Sequence, residues 1–175
     1  RPRPHSCFER SSAHPAPPLL KTRLEELYAH YNRREFIHPD PLEIVWRYES
    51  PADREVAGMI ASSLAFGRVT QILSSADRVV ARMGKQPAKF LEEATPKGLV
   101  DAFEGFAHRF VTDRELVELL QGMKMVRERM GSLKNAFQAG LSDAPKTVLP
   151  ALQQFVDALS VHASGRPNYL LPVPA

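Results

Sequence analysis

Arg68, Gln71, Ser75, Arg78 and Arg82 fall three or four residues apart, the spacing that strings side chains along one face of an α-helix. No acid interrupts them on that face. Such a stripe suits the phosphates of a nucleic-acid backbone, where arginine and short polar groups position the duplex without reading its sequence. A solvated helix face is the competing account. Just ahead of the stripe stand Phe66 and Gly67, an aromatic ring and a turn residue beside the first cation. By this spacing Arg68, Gln71, Ser75, Arg78 and Arg82 are the candidate nucleic-acid contacts.

Other chemistry finds less support. The six histidines, at positions 5, 14, 30, 38, 108 and 162, include no i, i+4 pair and have no second ligand at metal spacing. No metal or other cofactor is expected. There is no nucleophile elbow, phosphate loop, dinucleotide fingerprint or zinc-protease motif, and no catalytic residue is identified. Asp53 with Glu55, and Asp113 with Glu115, sit where helices begin, so their expected role is to stabilise the positive end of the helix macrodipole.

These residues must be positioned by helices. Leu20, Leu24, Leu27, Tyr28 and Tyr31 share one face of a first helix running to about Arg33. Asp40 and Pro41 start a short second helix, with Leu42, Val45 and Trp46 on its apolar face. Ser50 to Asp53 has capping-box spacing. From Val56 to Gly67 the chain carries no charge, and a helix without a polar face belongs inside a bundle. Gly58, Ala57, Ala61 and Ala65 would let its neighbours approach. The break at Phe66-Gly67 then leads into an amphipathic fourth helix with Ile72, Ala76, Val79, Val80 and Met83 inward, ending at Gly84. Short helices follow over 87–93 and 97–103, a long one behind the capping box Thr112/Glu115, a brief one over 132–139 and a last around Val148 to Leu159. Nothing shows strand alternation. The class is all-α, a multi-helix bundle.

Composition narrows the setting. The chain has 175 residues and a net charge of +3, of which Arg1, Arg3 and Arg10 less Glu9 supply two, so the body is nearly neutral. Its charge is nevertheless polarised: residues 68–89 hold five bases against Asp77 alone. Cys7 is the only cysteine, which excludes a disulfide framework and makes the cytoplasm the expected location. No apolar run reaches the roughly 18–20 residues of a membrane span, so no membrane partner is expected. Residues 1–18, rich in proline and without helical or strand period, are expected to be a disordered or non-native tail. Residues 19–175 are expected to form a single helical domain, truncated at its C-terminus.

The stretch "LYAHYNRREFIHPDPLEIVWRYESPADREVAGMIASSLAFGRVTQIL", with "FAHRF" and "GSLKNAF" beyond it, resembles an uncharacterised bacterial family known as domain of unknown function twenty-four hundred, over roughly Leu24 to Pro172. That family is in turn similar to helix-hairpin-helix DNA glycosylases. Its members are normally longer, and the segment resembling the glycosylase catalytic aspartate lies in their later half. The resemblance thus implies the helical N-terminal part of a glycosylase-like protein, with DNA as partner, no catalytic segment and no activity by itself. By position it places Phe66, Gly67 and Arg68 at a helix break that approaches DNA beside an extruded base. A helical protein-interaction domain without nucleic-acid or catalytic role is the alternative, and the oligomeric state is left open.

Overall fold

The computed structural model describes residues 18–142, 147–160 and 168–171. The expected tail therefore lies, up to residue 17, outside the described residues. The chain divides into two compact units, Arg1–His38 and Pro39–Ala175. In the first, α1 (Pro18–Tyr31) is followed by a 3₁₀ turn, Arg34–Phe36, where the Tyr31 and Phe36 rings meet edge to face at 5.2 Å. The aliphatic row Leu20, Leu24 and Leu27 on α1 is exposed.

Among its described residues the second unit is helical but for one small ribbon: α2 (Leu42–Val45), α3 (Pro51–Ser63), α4 (Val69–Met83), α5 (Pro87–Glu93), α6 (Pro96–Phe103), β1 (Ala107–His108), β2 (Val111–Thr112), α7 (Asp113–Met130), α8 (Leu133–Ala139) and α9 (Leu149–Leu159). The mostly helical class matches the sequence pattern. The ribbon was not expected, because two residues per strand are too few to show alternation.

Two helices organise the packing. α3 touches α2, α4 and α5, while α7 touches α5, α6, α8 and α9. Val56, Ala57, Ile60, Ala61 and Leu64 are buried, but Gly58, Met59 and Ser63 are half-buried and Ser62 and Ala65 exposed, so one face of the uncharged run rather than its whole circumference enters the core. On α2 the expectation needs correction: Leu42 and Trp46 are exposed and Ile44 is the buried residue, because a single turn held on α3 seats only one side chain.

The capping box at Ser50–Asp53 also does not form; Ser50 makes no side-chain cap. Asp53 Oδ1 instead accepts the backbone N–H of Ala88 at 2.8 Å, in the first turn of α5. Glu55 Oε2 accepts the N–H of Leu133, the first residue of α8, at 3.0 Å. Asp53 thus stands in the first turn of α3 and also caps a neighbouring helix, while Glu55 serves the start of α8 rather than of its own helix. The box at Thr112/Glu115 does form, with Thr112 N–H donating to Glu115 Oε2 at 2.8 Å.

Close approach depends on a glycine other than the one expected. A Cβ at Gly58 would meet only Val45 Cγ2 at 3.6 Å, an ordinary contact, whereas one at Gly122 would lie 2.1 Å from the Leu159 carbonyl oxygen. α9 therefore rests directly on the α7 backbone. Among the described residues no helix is long and apolar enough to cross a membrane.

Candidate functional site

α3 ends at Ser63 with Leu64 as its C-cap, and the chain turns over residues 64–68 to begin α4 at Val69. Gly67 makes that turn at φ +111°, where an L side chain is disfavoured. A Cβ there would also lie 2.9 Å from Arg109 Cδ, so the arginine side chain would have to shift. Arg68 then takes extended backbone (φ −79°, ψ 136°) as the N-cap of α4, and its carbonyl accepts the N–H groups of Gln71 and Ile72 at 2.9 and 3.0 Å. The helix break thus has a tertiary cause as well as a local one: the glycine makes room for an arginine from the ribbon.

The ribbon packs along α4. Ala107 pairs with Thr112 and His108 with Val111, which leaves Arg109 and Phe110 at the tip. Arg109 sits at φ +54°, the one described non-glycine residue with positive φ. Arg78 ties the ribbon down: its Nη2 donates to the Ala107 carbonyl at 2.9 Å and to Ser75 Oγ at 3.4 Å, and its guanidinium lies 5.4 Å from the Phe106 ring centre.

His108, 3% exposed, joins three elements. Its Nε2 lies 3.1 Å from the Phe66 carbonyl, which can only accept, so Nε2 carries a proton. In the neutral ring Nδ1 then accepts from Ser75 Oγ at 3.0 Å. Ser75 was expected on the solvent stripe; it is 5% exposed and points inward, because the ribbon covers that side of α4.

Between α4 and the ribbon tip lies an open groove of about 630 Å³. Thr70, Ser74 and Ser75 bring hydroxyls to it, Gln71 an amide, Arg78 and Arg109 guanidinium groups, and His108 and Phe110 rings. Among the described residues no carboxylate lines it. Of the residues singled out from sequence, the structure brings Gln71, Ser75 and Arg78 into the lining, with Phe66 stacked on Phe110 at 5.0 Å and Gly67 against Arg109. Arg68 and Arg82 are exposed outside the lining, and the Arg82 guanidinium sits 5.9 Å from the Phe103 ring centre.

These cations differ in pairing from three other arginines. Arg47, Arg114 and Arg127 each meet a carboxylate; among the described residues Arg68, Arg78, Arg82 and Arg109 meet none. Sequence reasoning missed Arg109, Phe110, Thr70 and Ser74. The available signal was "FAHRF", basic residues interleaved with aromatics. Among the described residues no group of three His, Cys, Asp or Glu side chains stands close enough to hold a metal ion.

A family model described as "Protein of unknown function (DUF2400)" matches residues 40–175. No curated protein and no solved structure matches the chain.

Proposed function

The chain belongs to the family described as protein of unknown function, DUF2400, and on that premise we propose that it is a nucleic-acid-binding, glycosylase-like helical protein whose phosphate-contacting surface is the groove between α4 and the ribbon tip. The observation that carries this reading is the groove's composition: two guanidinium groups, three hydroxyls and an amide, with no carboxylate among its described lining residues. Thr70, Ser74, Gln71, Arg78 and Arg109 all carry donor groups for an anion, and arginine is suited to phosphate because its planar fork can donate two bonds at once. The glycosylase likeness is supported by the sequence resemblance and by the order of parts, a buried helix, a short break, then an amphipathic helix.

The groove is read as a binding surface. Removing a base needs a positioned carboxylate or amine nucleophile, and the lining offers neither. Ser75 and His108 are engaged in fixing the ribbon to α4.

The test is the salt dependence of duplex DNA binding by the chain and by a variant with the two groove arginines, Arg78 and Arg109, replaced by Ala. For every phosphate that is no longer neutralised, the slope of log affinity against log salt should become shallower by roughly 0.9. Arg78 also holds the ribbon, so matched thermal midpoints, or a variant changing only Arg109, keep folding apart from binding. An unchanged slope would leave the solvated face and the protein-interaction domain.

A further inference from the structure

The rim of this groove carries aromatic surface that the phosphate reading does not use. Phe110 is 54% exposed and Tyr169 is 60% exposed, yet the two rings are ordered against each other at 4.8 Å and 65°. On another side Phe110 stacks on Phe66 at 5.0 Å with the planes 17° apart. Phe66 in turn meets the His108 ring at 4.8 Å. Phe110 is thus the outermost ring of a stack rooted in the buried Ser75–His108 network.

Each ring is held from behind. Phe110 follows Arg109, whose left-handed backbone is uncommon for a non-glycine residue and is found where surrounding structure dictates it. Tyr169 stands between two anchors. Asn168 Nδ2 donates to the Glu115 carbonyl at 3.1 Å and to Glu118 Oε2 at 3.0 Å, and Leu170 and Leu171 are buried in the core.

We propose that Phe110, backed by Phe66 and flanked by Tyr169, is a stacking platform for an unpaired nucleobase, so that the preferred substrate class of the groove is single-stranded nucleic acid. The inference rests on the nucleic-acid reading above and deepens it. A base has a π-face whatever its identity, and a positively charged groove beside exposed aromatic rings is the arrangement by which single strands are held without sequence preference. Charge and ring are contiguous here: Arg109 precedes Phe110 in the chain, and Arg78 lines the same groove. Within a duplex both faces of each base are covered by its neighbours, so a paired strand would use the arginines and leave Phe110 bare. A free strand can use both.

The experiment measures binding of fluorescein-labelled single-stranded DNA and of the matching duplex to the chain, and to Phe110→Ala and Phe110→Trp. A 2-aminopurine within the single strand reports stacking through loss of its fluorescence. The parent should favour the single strand and quench the probe. Phe110→Ala should bind the single strand about tenfold more weakly or worse and abolish the quench, while duplex binding stays within about twofold and the salt slope is unchanged. Phe110→Trp should keep both affinity and quench. If Phe110→Ala binds the single strand as tightly as the parent, the platform is overturned while the phosphate groove stands. If the parent binds neither probe, or binds with no salt dependence, both readings fail. Because Phe110 is more than half exposed, the Ala variant should fold, and the retained duplex binding checks this.

Discussion

Ser75 Oγ and His108 Nδ1 lie 3.0 Å apart, buried, although thirty-three residues separate them in the chain. Together with the 3.1 Å contact from His108 Nε2 to the Phe66 carbonyl, this places one imidazole across the α3–α4 break, the middle of α4 and the ribbon. His108→Ala would take one partner from the Ser75 hydroxyl, which keeps Arg78, and one from the part-buried Phe66 carbonyl, at a cost of up to about 1–3 kcal/mol for a group left unsatisfied. The variant should unfold at lower urea concentration and lose hydrogen-exchange protection at Ala107 and Thr112 first. Protection equal to the parent's would show that the ribbon is held by other means.

Gly122 and Gly58 should respond to alanine in opposite directions. At Gly122 the new methyl would meet the Leu159 carbonyl oxygen at 2.1 Å, and forcing α9 off α7 should cost about 1–3 kcal/mol or more, outweighing the gain in helix propensity. At Gly58 the nearest atom is 3.6 Å away, so propensity should prevail and stabilise the protein by about 0.5–1 kcal/mol. Chemical denaturation of the two variants decides both signs.

Ala61 is 2% exposed on the central helix, and Ala61→Asp would bury a charge with no partner. That penalty is several kcal/mol, comparable with the whole stability of a domain. The variant should be largely unfolded by circular dichroism at 25 °C, whereas Gln71→Ala on the exposed side of α4 should retain the parent's melting curve. Equal midpoints for Ala61→Asp and the parent would contradict the central placement of α3.

Tyr48 gives a stability effect confined to alkaline pH. Burial raises its phenol above the ordinary value of 10.0; nearby Arg47 pulls it down, and Asp53 and Asp77 push it up. Above pH 10 the native state therefore keeps a proton that the unfolded chain has released, and stability falls as pH rises. Below pH 10 this residue adds no slope. Urea unfolding of Tyr48→Phe between pH 8 and 11 should show a shallower alkaline decline than the parent, with parallel behaviour below.

The helices were legible in the sequence because their causes are local. The uncharged run from Val56 to Gly67 marks a helix with a face in the core, and the inward row Ile72, Ala76, Val79, Val80 and Met83 repeats with the helical period. Thr112 and Glu115 are three residues apart, so their capping box is written in the spacing. The basic stripe on α4 was legible for the same reason. What local spacing could not show is which partner each polar group finds. Asp53 and Glu55 look like caps of their own helix, yet they bond to α5 and α8, because packing brings those helix starts within reach. Ser75 has the period of a solvent-facing residue, and only the ribbon laid over α4 makes it buried. Arg109 and Phe110 belong to the groove although they lie far along the chain from α4, because a two-residue ribbon carries no period and its tip is placed by Gly67, Arg78 and His108. Local chemistry determined the elements and one charged face; the folding of distant segments onto that face decided that it became a groove with an aromatic rim.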